Sequence, residues 1–222
     1  MRVVEIFDSI DGEGIRAGVT ATFIRLAGCN LRCSYCDTAY ALYGEDVKCE
    51  YTEMTPVEIA DKVKFSRVTL TGGEPLIHAD VKTLIDLLIS RGIEVNIETN
   101  GAADISKFVT DDENLFFTID YKLPSSGECD KMLWRNFLKL KPRDVVKFVI
   151  GTDEDVEKMR EVILKLKSEL FAEMPHIFAG VVFGQYDAAE LVNRIISDEV
   201  LHDVRLQLQI HKIIWDPDRK GV

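Results

Sequence analysis

The sequence has no long apolar run and few positive charges for its length. No stretch approaches the roughly 20 apolar residues that a transmembrane helix needs, so no membrane span is expected. The first residues lack the apolar segment and cleavage site of a signal peptide, which predicts a cytoplasmic protein. Lys and Arg total 27 against 38 Asp and Glu, giving a formal charge of −11. Because such a charge repels phosphate backbones, we expect no nucleic-acid partner and favour a small molecule or a protein.

The chain also lacks internal repeats, low-complexity segments and any linker rich in Pro, Gly and Ser. We therefore predict a single domain over residues 1–222, a length that supports one sizeable core. Short runs rich in Val, Ile, Phe and Thr indicate buried strands. These runs are Ala21–Ala27, Arg67–Thr71, Glu94–Glu98, Leu115–Tyr121, Val145–Ile150, Ile177–Phe183 and Val204–Ile210.

Amphipathic segments alternate with these strands and predict helices. One begins after Thr55, an N-cap followed by Pro56 and an acidic first turn. The others are Asp80–Arg91, Asp153–Leu170 and Asp187–Ser197. The alternation predicts an α/β fold with a parallel sheet, open or closed into a partial barrel. Ligands of such folds bind beyond the carboxyl ends of the strands, so motifs at strand ends are the candidate sites.

Three of the five cysteines, Cys29, Cys33 and Cys36, follow the first of these strands. Thiolates at this spacing suit either an iron–sulfur cluster or zinc. A structural zinc site is normally closed by four protein ligands. No fourth ligand is evident here, because Cys49 lies thirteen residues after Cys36 and Cys129 is far away. The open position favours a cluster that binds a further molecule, with a non-catalytic zinc or iron–sulfur protein as the alternative.

The CxxxCxxC motif resembles that of the radical S-adenosylmethionine (SAM) superfamily. The resemblance implies a [4Fe-4S] cluster held by the three cysteines, with SAM chelating the fourth iron through its amino and carboxylate groups. It implies a 5′-deoxyadenosyl radical that abstracts hydrogen from the substrate. It also implies the superfamily's fold, a partial, modified (β/α)6-type TIM-like barrel.

Three further segments match SAM-contacting positions of that superfamily. The first is Gly72-Gly73-Glu74, which resembles the superfamily's GGE motif. Glycines after a strand allow close backbone approach to a ligand, and Glu74 can accept a hydrogen bond from an ammonium group. The segment Glu98-Thr99-Asn100-Gly101 resembles an ExxG-type strand terminus. The resemblance implies that SAM is bound by Tyr35, Cys36, Asp37, Gly72, Gly73, Glu74, Asp120, Tyr121 and Lys122. Of the last three, only Lys122 matches the Ser-Pro-Lys of many members.

The flanks of the motif resemble the 7-carboxy-7-deazaguanine synthase family over nearly the whole chain. The matching segments are residues 5–14, 23–28, 36–38 and 209–212. The resemblance implies conversion of 6-carboxy-5,6,7,8-tetrahydropterin to 7-carboxy-7-deazaguanine with loss of ammonia, on the pathway to queuosine. It further implies Mg²⁺ on Thr38, an electron donor such as flavodoxin or ferredoxin, and a homodimer.

The same resemblance implies a set of substrate contacts. They are Ile10, Asp11, Gly12, Glu13, Arg25, Thr71 and His211. Arg25 has an independent argument, since an arginine in an apolar strand needs an anionic partner. Asp11 departs from the glutamine of many members, and an ionised aspartate can only accept hydrogen bonds. This difference predicts altered pterin recognition or a different substrate.

A second radical SAM family shares part of this pattern. The segment from Asp11 to Arg16 resembles the Asp-Gly-x-Gly-x-Arg of glycyl-radical-enzyme activases, which act on a protein backbone. Those enzymes typically carry proline where Glu13 stands, and His or Asn in place of Asp37. The two families need different sites. The synthase family needs a buried pterin pocket with Mg²⁺, and the activases need an open groove that admits a peptide loop.

Overall fold

The computed structural model of the protein describes residues 1–42, 49–170, 173–217 and 219–222. Within these ranges the strands are β1 (Arg2–Ile10), β2 (Thr20–Leu26), β3 (Thr52–Glu53), β4 (Arg67–Gly72), β5 (Glu94–Thr99), β6 (Leu115–Asp120), β7 (Val145–Ile150), β8 (His176–Val181) and β9 (Arg205–Leu206). They form one sheet in the order β3-β1-β2-β4-β5-β6-β7-β8-β9. Strands β2, β4, β5, β6, β7, β8 and β9 pair parallel with their neighbours in this order. Strand β1 pairs antiparallel with both β2 and β3.

Helices lie in the connections between the strands, except for a short one that follows β9. They are α1 (Pro56–Ala60), α2 (Val81–Ser90), α3 (Trp134–Phe137), α4 (Asp153–Glu169), α5 (Ala188–Ser197) and α6 (His211–Ile214). Thr55 caps α1 and Thr152 caps α4, each through a reciprocal capping box. In the described part of the chain, no helix combines the length and apolarity needed to cross a bilayer.

Most of the predicted elements are confirmed, with shifts of one or two residues at their ends. The last predicted strand, Val204–Ile210, is largely wrong, because only Arg205–Leu206 pairs with β8. His211 therefore begins α6 and does not close a strand. The strand prediction also missed β1, whose half-buried residues give a weaker apolar signal than a strand buried on both faces. Among the described strands the two edges, β3 and β9, do not pair with each other, which is consistent with the expected partial barrel.

The two faces of the sheet have different chemistry. Outward-facing Ile24, Leu70 and Ile97 are fully buried and belong to one core with residues of α2 and α4. The inner face carries polar residues that pair across neighbouring strands in three places. There Arg25 lies beside Thr71, Glu98 beside Thr118, and Asp120 beside Lys147. Helices cover the outer face, and the inner face is left for a ligand.

Candidate active site

A cavity of about 630 Å³ lies inside the curved sheet and extends to the carboxyl ends of its parallel strands. Most of the residues predicted from the sequence line it. They are Ile10, Gly12, Glu13, Arg25, Cys29, Cys33, Tyr35, Cys36, Asp37, Thr38, Thr71, Gly72, Gly73, Asp120, Lys122 and His211. The lining does not include Asp11, Glu74 or Tyr121.

The cysteine loop leaves the end of β2 and is fixed from two sides. Its backbone N–H at Arg32 donates to Glu128 Oε1 at 2.6 Å. At Ser34, the backbone N–H donates to the Ser126 carbonyl oxygen at 3.0 Å. The amide of Asn100 also lies 3.5 Å from the Cys29 sulfur, which it can reach as a donor. Glu128, Ser126 and Asn100, three residues from distant parts of the chain, thus position the loop at the mouth of the cavity.

The three thiols of this loop are free and half-buried. Burial raises the pKa of Cys29, and raises the pKa of Cys33 to about 11. Metal binding must therefore displace protons. Over the described ranges, no three His, Cys, Asp or Glu side chains are grouped as ligands of a single metal ion.

Two glycines at the end of β4 allow this loop to pack against the sheet. A Cβ on Gly73 would overlap the Gly28 carbonyl oxygen, and one on Gly72 would lie 2.6 Å from the Leu26 carbonyl oxygen. The Glu74 N–H donates to the same Gly28 oxygen at 2.7 Å. The glycines therefore have a structural role that the sequence did not indicate, because they let two loops meet beside the cavity.

The carboxylate of Glu74 does not face the cavity. It is fully buried and accepts from the Leu76 N–H at 3.0 Å, the Thr99 hydroxyl at 2.8 Å and the Asn100 N–H at 2.8 Å. Burial raises its pKa to about 7 although these donors oppose the shift. The expectation of a side-chain contact from Glu74 to SAM is not supported, since the carboxylate ties the ends of β4 and β5 together.

The segment at the end of β6 separates into cavity-facing and core-facing residues. Lys122 Nζ lies 2.6 Å from Asp120 Oδ2, and both side chains line the cavity. Tyr121 points the other way, with its ring centroid 5.1 Å from that of Phe137 and 5.9 Å from that of Phe148. The ring of Tyr121 is therefore part of the core and offers no contact to a ligand in the cavity.

Asp11 is also turned away from the cavity, contrary to the expected substrate contact. Its Oδ2 lies 2.8 Å from Arg16 Nε, and its Oδ1 accepts from the Thr69 hydroxyl at 2.6 Å. Arg16 is itself buried and reaches Glu94 and the Val68 carbonyl oxygen, both at 3.1 Å. The Asp11–Arg16 ion pair closes the amino-terminal end of the barrel below the cavity.

Arg25 has an anionic partner within the protein. Its Nε donates to Glu5 Oε1 at 2.7 Å, and Nη1 donates to the Gly72 carbonyl oxygen at 3.3 Å. The Tyr40 hydroxyl donates to the same Glu5 oxygen at 2.8 Å. A guanidinium has five N–H donors, so Arg25 can hold Glu5 and also bind an anion in the cavity.

Glu13 and Lys147 form an ion pair across the inside of the barrel. Both side chains line the cavity, and Glu13 Oε2 accepts from Lys147 Nζ. Burial opposes the charge of Lys147, but Glu13, Asp120 and Glu98 raise its pKa above the ordinary value. The ammonium therefore stays charged inside the cavity.

The remaining predicted residues lie at the cavity edge. The ring of His211 packs against Gly12, where a Cβ would overlap it, and burial lowers the pKa of His211. The Thr38 hydroxyl donates to Asp37 Oδ1 at 2.8 Å. Thr38 and Asp37 thus place two hard oxygens beside the cysteine loop, which suits Mg²⁺.

The structure also places residues at the site that had no predicted role. Among them are Phe7, Phe23, Lys147 and Lys212, and Glu98 lines the cavity as well. The rings of Phe7 and Phe23 stack with centroids 4.9 Å apart. A charged residue within the apolar strand VVKFVI was the available signal for Lys147, and Glu98 stood in the ExxG-type segment.

The cavity has the polar groups that a cluster and SAM require. Three thiols lie on one wall, and the buried atoms Tyr35 Oη and Asp120 Oδ1 make no hydrogen bond within the described residues. A polar cofactor can satisfy such atoms, whereas an apolar one would leave them unpaired. The residues present therefore fit a radical SAM protein.

Comparisons with known proteins agree with this class. The family model of the radical SAM superfamily matches residues 23–112. A 7-carboxy-7-deazaguanine synthase of Clostridium acetobutylicum is 42% identical, with 100% of this chain and 99% of the relative covered. Another, of Methanospirillum hungatei, is 38% identical over 98% of this chain and 86% of the relative. The chain belongs to the 7-carboxy-7-deazaguanine synthase family of radical SAM enzymes, which use a [4Fe-4S] cluster and SAM.

Two solved structures share the fold. QueE from Escherichia coli matches with a TM-score of 0.70 and 24% identity over 92% of each chain. Streptococcus suis SuiB bound to S-adenosylmethionine matches with a TM-score of 0.53 and 13% identity, covering 83% of this chain and 48% of that one. At these identities the matches support the fold alone.

Proposed function

We propose that this chain converts 6-carboxy-5,6,7,8-tetrahydropterin to 7-carboxy-7-deazaguanine with loss of ammonia, in the biosynthesis of queuosine and related 7-deazapurines. The observation that carries the proposal is the full-length identity of 42% to a synthase of that name. The cavity supports it, because its volume of about 630 Å³ falls in the range of small-molecule sites. The same full-length similarity to synthases argues against the glycyl-radical-enzyme activase alternative.

The charges inside the barrel suit the two polar ends of this substrate. A pterin presents N–H donors at its amino-pyrimidinone edge, and the carboxylates of Glu13 and Glu98 are acceptors. The substrate carboxylate needs a cation, which Arg25 supplies from the wall formed by β1 and β2. In this proposal Ile10, Gly12, Thr71 and His211 complete the substrate pocket.

The other end of the cavity is proposed to hold the cofactors. Cys29, Cys33 and Cys36 would bind the cluster. Tyr35, Cys36, Asp37, Gly72, Gly73, Asp120 and Lys122 would bind SAM. When bound, the cluster and SAM supply the radical chemistry that abstracts hydrogen from the substrate. The protein's own part is to hold the substrate against that end and to exclude water.

Several finer points belong to the same proposal. Thr38 would bind Mg²⁺, which its hydroxyl and the adjacent Asp37 carboxylate suit. A homodimer and an electron donor such as flavodoxin or ferredoxin follow from the resemblance to the family, and a cytoplasmic location is proposed beside them. A single domain is supported by the one sheet that contains strands from β1 to β9.

The proposal is tested with the anaerobically reconstituted and reduced protein. We expect carboxydeazaguanine when carboxytetrahydropterin, SAM and Mg²⁺ are present, and a lower rate when Mg²⁺ is removed by chelation. Cleavage of SAM to 5′-deoxyadenosine without carboxydeazaguanine would contradict the substrate assignment and leave the radical SAM class intact. Bound zinc with no 5′-deoxyadenosine would favour the structural-metal alternative.

A further inference from the structure

We propose that Lys147 is a positioning residue for the substrate, acting through Glu13. The inference rests on the proposed function, because it concerns how Glu13 is presented to the pterin. Lys147 lies in the middle of β7, with 15% of its side chain exposed, and it lines the cavity. Glu13 comes from the connection between β1 and β2, so the pair joins segments 134 residues apart.

The backbone around Glu13 is already held by other contacts. The Gly14 N–H donates to Gln207 Oε1 at 2.6 Å, and the Gly12 carbonyl oxygen accepts from the Ile210 N–H at 3.3 Å. These bonds fix the main chain on both sides of Glu13 without touching its carboxylate. The contact with Lys147 therefore determines where that carboxylate points.

The charges around Lys147 identify Glu13 as its principal partner. Asp120 on β6 lies directly opposite Lys147 on β7. The carboxylate of Asp120 already has a closer partner, because Lys122 Nζ lies 2.6 Å from its Oδ2. Glu98 also faces Lys147 inside the barrel, where it raises the pKa of the lysine less than Glu13 does. Glu13 makes the direct contact, and only 12% of its side chain is exposed.

This arrangement has a consequence for substrate binding. A carboxylate is acceptor-only while it is ionised, which is the form that pterin N–H donors need. Without a counter-charge, a buried carboxylate takes up a proton or turns toward water. The contact with Lys147 holds the Glu13 carboxylate in place inside the cavity before the substrate arrives. Its loss should weaken substrate binding more than it affects the cofactor end, where Lys122 makes the direct contact with Asp120.

The test measures KM and kcat for carboxytetrahydropterin, and SAM cleavage without pterin, in Lys147→Met. We expect KM to rise about tenfold, because a misplaced Glu13 carboxylate would lose its charge-assisted hydrogen bond to the substrate. SAM cleavage without pterin should fall by a smaller factor than the rise in KM, because the cysteine loop and the direct Lys122–Asp120 contact are retained. Lys147→Arg, which retains the charge, should recover most of the affinity. Lys64→Met is the matched control, since that exposed lysine pairs with Asp8 on the outside of β1.

A double variant separates positioning from a purely structural role. If Lys147 acts through Glu13, the Glu13→Gln/Lys147→Met double variant has the KM of Glu13→Gln alone within about twofold. It also removes the Glu13 carboxylate that Lys147→Met leaves without its partner, so it remains informative if Lys147→Met folds poorly. Two results would overturn this inference and leave the proposed function standing. One is a KM in the double variant that equals the product of the two single-variant effects. The other is an unchanged KM in Lys147→Met when the wild type is active. A wild type that cleaves SAM without making carboxydeazaguanine would overturn the proposed function and this inference with it.

Discussion

The carboxylate of Asp11 lies 2.8 Å from the Nε of Arg16, and both side chains are buried below the cavity. This ion pair gives a physical role to the aspartate that stands where many family members have glutamine. The side chain bonds to Arg16 and Thr69, so its charge is used within the protein. The difference at Asp11 therefore gives no reason to expect a different substrate.

The first prediction concerns this pair. Asp11→Asn leaves Arg16 with less compensating charge, and we expect the free energy of unfolding to fall by about 3 kcal/mol. KM for the pterin should change less than threefold or so, because the side chain does not face the cavity. Denaturant unfolding and steady-state kinetics measure the two effects. Asp86→Asn is the control, since its exposed pair with Lys82 should contribute less than about 0.5 kcal/mol. A large rise in KM with unchanged stability would show that Asp11 meets the substrate.

The second prediction concerns Gly73, whose added Cβ would overlap the Gly28 carbonyl oxygen. Gly73→Ala should destabilise the protein by about 3 kcal/mol, because two backbone segments must separate. The effect should already be present in the protein without cluster or SAM, measured by denaturant unfolding. An apo-protein of wild-type stability that had lost only SAM binding would instead assign Gly73 a purely ligand-contacting role.

The third prediction is a pH dependence of stability. Burial raises the pKa of Glu74 to about 7, above its ordinary value of 4.5. The folded state therefore binds this proton more tightly than the unfolded state. The stabilisation is fully present below pH 4.5 and is lost as the pH rises through 7. Glu74→Gln cannot titrate, so the stability of wild type relative to this variant should be about 2 kcal/mol greater at pH 5 than at pH 8.

The measurement for Glu74 is denaturant unfolding of both apo-proteins at the two pH values, under reducing conditions. Comparing the pair cancels the other titrating groups, including the histidines whose pKa burial lowers. A relative stability that is flat with pH, or that increases toward pH 8, would mean that the Glu74 carboxylate is ionised throughout this range.

The fourth prediction separates the three cysteines of the loop from the other two. Alanine at Cys29, Cys33 or Cys36 should abolish the iron–sulfur absorbance and the formation of 5′-deoxyadenosine after reconstitution. Alanine at Cys49 or Cys129, which do not line the cavity, should retain both. Iron and sulfide analysis with the ultraviolet–visible spectrum gives the readout. Loss of the cluster in Cys49→Ala or Cys129→Ala would point to a fourth protein ligand.

Local pattern was sufficient for much of the fold. Apolar runs located the parallel strands because both of their faces are covered, as in β7, whose predicted bounds are those of the structure. The same signal fails at the end of the sheet. After Leu206 the apolar residues no longer pair, and Leu208 is exposed. An edge strand has no second neighbour to specify its length.

The site was predictable where it depends on spacing and not where it depends on side-chain direction. The cysteine loop and its position after a strand follow from the sequence. Asp11 also bonds to Thr69, 58 residues away, and Glu74 to Thr99, 25 residues away, and a linear motif does not contain these partners. Lys147 is the converse case, since only the fold shows that it meets Glu13.

The most direct test of the central claim is product analysis by mass spectrometry after reduction of the reconstituted protein. With carboxytetrahydropterin, SAM and Mg²⁺, wild type should form carboxydeazaguanine and ammonia in equal amounts, and Cys33→Ala should form neither. Absence of carboxydeazaguanine in a wild-type sample that carries its cluster and cleaves SAM would contradict the claim.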